Sequence, residues 1–250
     1  MVNNLYTLTL LKAFDILNCF ENDTQEISIK EIANRIDMQQ SSVYRILQSL
    51  EFEGLIFQNK ENKKYRIGTG LIALAGKCNR LDRFLQAASK HMELLGQLTG
   101  ETVNLAAPNC DKIINVHKVE SSHVLRPNFT LNTPYPAFCT STGKILLSEN
   151  GDASLRWVYD NNEAAIGMSL EAFLDMIHEV RGNGYAYDDQ EFSPGLRCVA
   201  APIKGPGGRA IFAMSVSAPV SRMDDDRYAR TRDMVIQYAE LISDEIQAMG

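Results

Sequence analysis

The stretch SIKEIANRIDMQQSSVYRILQSLEFEG, residues 28–54, constrains the fold of this chain more than any other. Ser28 is placed to cap the first-turn amides of a helix, and Glu31, three residues on, completes a capping box. Ile29, Ile32, Ala33 and Ile36 then fall at i, i+3, i+4 and i+7, one apolar stripe on a short helix that Asp37 and Met38 interrupt. A further helix follows with Val43, Ile46, Leu47 and Leu50 as its buried stripe and Gly54 placed to end it in a left-handed conformation. At about 100° per residue, its opposite face carries Ser41, Tyr44, Arg45 and Gln48. Upstream, Leu8, Leu11, Ala13, Phe14, Ile16, Leu17 and Phe20 repeat at helical spacing, so a first helix is expected over residues 7–20.

Immediately downstream, LIFQNKENKKYRIG alternates, with Leu55, Phe57, Tyr65 and Ile67 expected on one side and Lys64 and Arg66 on the other. This predicts a β-hairpin with a basic tip. Two short helices joined by a turn, followed by such a hairpin, make a winged helix-turn-helix. Arg and Gln read base edges with paired hydrogen bonds, while Ser, Tyr and Lys hold phosphates. The candidate DNA-binding residues are therefore Ser41, Ser42, Tyr44, Arg45 and Gln48 on the helix, with Lys63 and Lys64 on the wing. Charge supports this assignment. The chain carries a formal net charge of -6, yet residues 28–68 hold more basic than acidic side chains.

The chain has 250 residues, above the usual size of one domain, so two are expected. Its five cysteines, Cys19, Cys78, Cys110, Cys139 and Cys198, are scattered with no C-x-x-C pair. That excludes a disulfide scaffold and a zinc site and suits a reducing compartment. The apolar start is broken by Lys12 and Asp15 and lacks a basic leader, so no signal peptide is expected. No run approaches the ~18 apolar residues that span a bilayer. A cytoplasmic protein without a membrane partner is expected.

Residues 71–79 and 81–98 read as helices, a stiff connection rather than a flexible linker. TVNLAAP, KIINVHKV and HVLRPNF then read as strands. STGKILLSENG and SLEAFLDMIHEVRGNG read as helices, the second capped by Ser169 and ended near Gly182 or Gly184. YAYDD, RCVAAPIK and RAIFAMSVSAP read as strands, with GPGG turning between the last two. A final helix opens on Asp224, Asp225 and Asp226, which complement its dipole, and is expected to bury Met234, Val235, Tyr238, Leu241, Ile242 and Ile246. Helices flanking a largely antiparallel sheet make an α+β domain.

Taken together, SSVYRILQSLEFEGL with KYRIG, TSTGKILL, EVRGNGYAYDDQEFSPGLRCVAAPI and MSVSAPVSRMDDD resemble the IclR-type bacterial transcription regulators over essentially the whole chain. Each segment is weak alone, but four in order and at the right spacing are specific. The chain departs from the common pattern with Phe138 and Cys139 where His-Ala is usual, and with Ser141 and Thr142 where Ala or Gly often stands. The resemblance implies a winged helix-turn-helix over residues 1–68, a linker helix over 69–82, and a GAF-like antiparallel sheet domain flanked by helices over 83–250. It also implies a small-molecule effector, homodimers or homotetramers, and a palindromic double-stranded DNA operator.

TSTGK suggests a P-loop but fails, because Phe138 stands at the first Gly position and Ile145 follows the Lys. A turn into a helix start whose free amides hold a carboxylate fits better, beside the plain alternative of an ordinary capped helix. Asp188, Asp189 and Glu191 could hold a metal, but no histidine accompanies them, and a solvated turn is commoner. The resemblance makes Asp188 face the effector. Cys198 could be a nucleophile, a pocket wall or simple core. A nucleophile needs a base, and none of His91, His117, His123 and His178 stands in a motif with it. In the resemblance, Cys198, Ser215 and Ser217 line the effector pocket. The two serines flank Val216 and so share one strand face. The effector set is Ser141, Thr142, Asp188, Cys198, Ser215 and Ser217, with no catalytic residue, metal or cofactor expected.

The chain therefore reads as a DNA-binding transcription regulator controlled by a small organic or sugar acid. Two alternatives stand beside it. One is a thiol- or acid-dependent hydrolase with an appended DNA-binding domain. The other is a dimerisation module with a vestigial pocket.

Overall fold

The computed structural model describes residues 7–21, 24–77 and 79–249. The chain divides into two compact units, residues 1–80 and 81–250. Cys78 lies outside the described residues.

The first unit packs helices α1 (Leu8–Leu17), α2 (Ile29–Arg35) and α3 (Gln40–Phe52) beside the hairpin β1 (Ile56–Gln58) and β2 (Tyr65–Ile67). The capping box forms: Glu31 N–H donates to Ser28 Oγ at 3.3 Å, and Ser28 N–H to the Glu31 carboxylate at 2.8 Å. The expected stripes of α2 and α3 meet in one core that includes Ile32, Ala33, Val43, Ile46, Leu47 and Leu50. Arg35 Nη1 donates to the Cys19 carbonyl at 2.6 Å and ties α2 to the end of α1.

Three details differ from the expectations. Helix α1 stops at Leu17, because Cys19 and Phe20 bond three residues back instead of four and tighten the end. Leu8 and Phe14 of its apolar repeat are exposed, and Ile16 carries the burial. In the hairpin, Phe57 pairs directly with Arg66 and Ile56 with Ile67, so Phe57 stands outside under the Arg66 guanidinium while Ile56 and Tyr65 turn inward.

The hairpin is seated tightly on the end of α3. Gly54 adopts φ 69°, and a Cβ on Gly68 would lie 2.2 Å from the Gly54 carbonyl oxygen. Helix α4 (Gly70–Ala75) follows, and the expected connecting helix is shortened at Gly76, where the bond from Lys77 N–H turns to the three-back pattern.

Helix α5 (Asn79–Thr99) begins two residues before the second unit, which builds a six-stranded antiparallel sheet. Its strands are β3 (Thr102–Asn109), β4 (Lys112–Val119), β5 (Pro134–Pro136), β6 (Ala186–Asp189), β7 (Leu196–Lys204) and β8 (Ala210–Pro219), in spatial order β5-β4-β3-β8-β7-β6. Between β5 and β6 run α6 (Ser141–Leu147), α7 (Asp152–Ile166) and α8 (Leu170–Asn183), and α9 (Asp225–Ala248) closes the chain.

Alternation along the strands assigns the two faces. Met214, Val216 and Ala218 pack with α5 and α9, while Ala106, Ala200 and Ala213 pack with α6, α7 and α8. The sheet is thus the middle of three layers.

Residues 123–129 form no strand: Pro127 lacks an amide for a ladder, Val124 is fully exposed, and the outer edge of β4 pairs instead with the short β5. Helix α7 occupies residues for which no element is expected from the pattern. On α9, Leu241 is exposed, and the buried line runs through Thr231, Val235, Ala239, Ile242, Ser243 and Ile246. Small and hydroxylic residues are admitted there because β7 lies close: Ser243 Oγ accepts from Lys204 N–H at 2.9 Å.

Candidate DNA-reading face and effector cavity

On α3 the four buried side chains leave Ser41, Ser42, Tyr44, Arg45 and Gln48 all exposed on the outer surface. Gln48 Nε2 donates to the Tyr44 hydroxyl at 3.0 Å, so these two side chains are mutually oriented. At the wing, Lys63 is exposed with φ 59°, whereas Lys64 is half-buried. Glu26 anchors the tip by accepting from Asn59 and Asn62, and those bonds, Asn62 first, hold its carboxyl below the usual range.

In the second unit, a cavity of about 20 Å³ lies on the α6-facing side of the sheet, room for about one water. Its lining includes all six residues nominated from the sequence: Ser141, Thr142, Asp188, Cys198, Ser215 and Ser217. Strand register brings four of them together. Asp188 stands opposite Cys198, Cys198 opposite Ser217, and Ser215 opposite Asn104. Ser141 and Thr142 begin α6, where helix amides have no intrahelical acceptor. The next amide, Gly143 N–H, is capped by Thr140 Oγ1 at 3.3 Å.

Asp188 is buried, and its Oδ1 accepts from Glu191 N–H at 2.9 Å and Phe192 N–H at 3.2 Å. Burial pushes its carboxyl up to about 6, against the pull of those two amides; nearby Glu191 raises it and Lys144 lowers it. The three neighbouring acids serve different partners, which separates them as metal ligands. Asp189 accepts two hydrogen bonds from Arg197, each at 2.9 Å, and Glu191 pairs with the buried Lys144 ammonium, which also donates to the Tyr187 carbonyl at 3.0 Å. Among the described residues no group of histidines, cysteines and acids is arranged to hold a metal. Lys144, the lysine of TSTGK, thus holds the loop after β6.

Burial, and then the Asp188 charge, push the Cys198 thiol well above its ordinary value, and burial pushes Cys139 up to about 11. Neither thiol is poised as a nucleophile.

Six wall residues escaped the sequence reading: Asn104, Ile113, Asn115, Phe129, Tyr135 and Thr140. Asn104 and Asn115 carried a usable signal, since asparagine is disfavoured inside strands and both interrupt apolar runs. Asn104 Nδ2 donates to Ser217 Oγ at 3.2 Å, while its Oδ1, buried at the cavity wall, has no partner among the described residues. The rings of Phe129, Tyr135 and Phe192 form a triangle, with centroids 5.5, 5.9 and 5.7 Å apart. Its anchors are Thr130 N–H to the Tyr135 hydroxyl at 2.8 Å and Lys118 Nζ to the Phe129 carbonyl at 2.9 Å.

Comparison with known proteins matches residues 9–60 to the IclR helix-turn-helix domain and residues 80–244 to the bacterial transcriptional regulator IclR C-terminal domain. The HTH-type transcriptional regulator KdgR of Escherichia coli (strain K12) is 31% identical over 240 residues, covering 94% of this chain and 91% of that protein. KdgR of Dickeya chrysanthemi is 32% identical over 244 residues, 95% of this chain and 79% of that one. Among solved structures, an IclR homologue from Microbacterium hydrocarbonoxydans complexed with 4-hydroxybenzoate superposes with a TM-score of 0.75 at 19% identity, covering 96% of this chain and 99% of that one. An exposed helix-turn-helix face with a wing in one unit, and a sheet domain with a walled cavity in the other, therefore coincide with both family domains in order. The chain belongs to the IclR family of bacterial DNA-binding transcriptional regulators.

Proposed function

We propose that residues 1–68 bind a palindromic operator as part of a homodimer or homotetramer, in the cytoplasm, and that residues 83–250 sense a small hydroxylated carboxylate, with 69–82 as the connection. One α3 in one groove reads too few bases for an operator, and pairing two about a two-fold axis sets the half-site spacing. Arg45 and Gln48 read base edges; Ser41, Ser42, Tyr44, Lys63 and Lys64 hold the backbone. Among the described residues no helix is long and apolar enough to cross a membrane.

The observation that carries the sensing role is the convergence of Ser141, Thr142, Asp188, Cys198, Ser215 and Ser217 on one cavity. The first-turn amides and hydroxyls of Ser141 and Thr142 suit a carboxylate. Asp188 suits a ligand hydroxyl. The 4-hydroxybenzoate bound to the Microbacterium homologue has that chemistry, an acid carrying a hydroxyl.

The test is a thermal-shift screen against small carboxylates, followed by operator binding with and without the hit. A specific ligand raises the melting temperature by mass action and changes operator affinity by the linked amount. A protein that binds operator and answers to no acid is a dimerisation module with a vestigial pocket.

A further inference from the structure

Asn104 sits on β3 at the centre of the sheet, 2% exposed, with its side chain at the cavity wall. Its amide nitrogen is committed to Ser217 Oγ at 3.2 Å, which leaves Oδ1 as a buried acceptor with no partner among the described residues. An unmet acceptor in such a place penalises any state that leaves it dry. Apart from Ile113, Phe129, Tyr135 and Cys198, the lining is polar and includes a second amide, Asn115. Asp188 is a second acceptor, hydroxyls come from Thr140, Ser141, Thr142, Ser215 and Ser217, and the lining includes no lysine, arginine or histidine. A ligand that brings only a carboxylate and carbon leaves Oδ1 unanswered. A ligand that brings a hydroxyl to that wall donates to it.

The volume of about 20 Å³ is too small for such a molecule. The Phe129–Tyr135–Phe192 triangle packs beside Cys198, with Phe129 and Tyr135 in the lining, so a larger occupant requires the lining to give way.

We propose that Asn104 is the specificity-determining residue of the cavity: its Oδ1 accepts a hydrogen bond from a ligand hydroxyl, so the site selects hydroxylated acids over deoxy acids of the same carbon skeleton. The inference rests on the proposed sensing of a small acid by this cavity. Sites built to hydrogen-bond a hydroxyl reject analogues lacking it far more strongly than apolar pockets reject a missing methylene.

The experiment measures dissociation constants of the full chain for matched pairs: glycolate and acetate, glycerate and propionate, gluconate and hexanoate, 4-hydroxybenzoate and benzoate. Wild type, Asn104→Leu and Asn104→Asp are compared, and the quantity read is the preference within a pair. Asn104→Leu removes the acceptor at similar volume, and the preference should fall by about tenfold or more. Asn104→Asp keeps an acceptor oxygen in place. Its added charge repels both acids of a pair alike and cancels in the ratio, so the preference should survive. Where the Leu variant folds poorly, Asn104→Ser and Asn104→Thr remove the amide with less loss of polarity, and the same fall in preference is expected. A hydroxylated acid that binds wild type with a preference Asn104→Leu leaves unchanged overturns the assignment while the sensing role stands. A preference lost in Asn104→Asp also overturns it, because the amide nitrogen then does the reading. If no acid of any pair binds, both the inference and the sensing role fall.

Discussion

Asp188 on β6 and Cys198 on β7 face each other directly across an antiparallel pair, both buried, with Ser217 of β8 next in the same row. Directly opposed side chains on one face have Cβ atoms about 5 Å apart. A carboxyl, a thiol and a hydroxyl thus share one wall, and on top of burial the outer two act on the thiol between them, Asp188 raising it and Ser217 lowering it.

The first consequence is a pH dependence of stability. Burial raises the Asp188 carboxyl from 3.8 to about 6 in the folded chain. Between those values the folded state holds a proton that the unfolded state has lost, so this group's contribution to stability falls as pH rises through that window. By pH 7 the loss is on the order of 3 kcal/mol. Asp188→Asn removes the titration, and its amide oxygen can still accept from Glu191 and Phe192. The variant should melt above wild type at pH 7.5, with the margin shrinking toward pH 4.5. Parallel melting curves across that range would show that burial does not strain the carboxyl.

Thiol reactivity follows the same physics. Cys110 is exposed, and Cys198 is buried with its thiol held far above its ordinary value. Iodoacetamide at pH 8, read by peptide mass spectrometry, should modify Cys110 well before Cys198. Rapid labelling of Cys198 in the folded protein would restore the nucleophile reading.

Ser217→Ala should impair the response to ligand and spare the operator. The substitution removes the oxygen that accepts from Asn104 Nδ2 and a hydroxyl of the cavity wall. The expected cost to ligand binding is about 1 kcal/mol, more where its partner is charged. Operator affinity without ligand should match wild type in a gel-shift titration, while the ligand titration moves to higher concentration. A wild-type ligand response in this variant would put the site elsewhere.

DNA reading should divide between helix and wing. Arg45→Ala should cost ~1–3 kcal/mol on the operator and relax base preference at one position. Lys63→Ala should weaken all sequences alike and reduce the salt slope by about one ion. Binding measured on specific and scrambled duplexes at several salt concentrations separates the two. A sequence-selective effect from Lys63 would contradict the division.

Two helical glycines should respond in opposite directions to alanine. At Gly143 a Cβ would stand 2.2 Å from the Ala137 carbonyl oxygen and 2.3 Å from its Cα, both backbone atoms that cannot turn aside. Gly143→Ala should lower the melting temperature by several degrees and disturb the α6 end of the cavity. At Gly182 on α8 a Cβ meets nothing within 4 Å, and the same change should stabilise by up to ~1 kcal/mol through helix propensity. Stabilisation at both positions in thermal melts would contradict the close contact at Ala137.

Local signals were the legible part. The capping box at Ser28, the Ser169 cap, the left-handed Gly54, the acids that open the last helix and the alternation of Ser215 and Ser217 around Val216 all act within a few residues, and each is present. Where a segment's state depends on distant partners, local pattern misled. Residues 123–129 have strand-like composition but no ladder, because β5 pairs with the free edge of β4. Phe57 reads as inward until the register with Arg66 turns it out.

The sequence alone determined the helix-turn-helix with its wing and the α+β character of the remainder, because periodicity, caps and turn residues are local physics; the six residues of the cavity were reached through the resemblance to IclR-type regulators. The tertiary structure decided what those six residues make. Asp188, Cys198, Ser217 and Asn104 come from four strands separated by up to a hundred residues and more of chain, and only strand register places them on one wall. The same long-range packing raises the Asp188 carboxyl and the Cys198 thiol and leaves Asn104 Oδ1 without a partner among the described residues, since burial is a property of the assembled core and of no single segment.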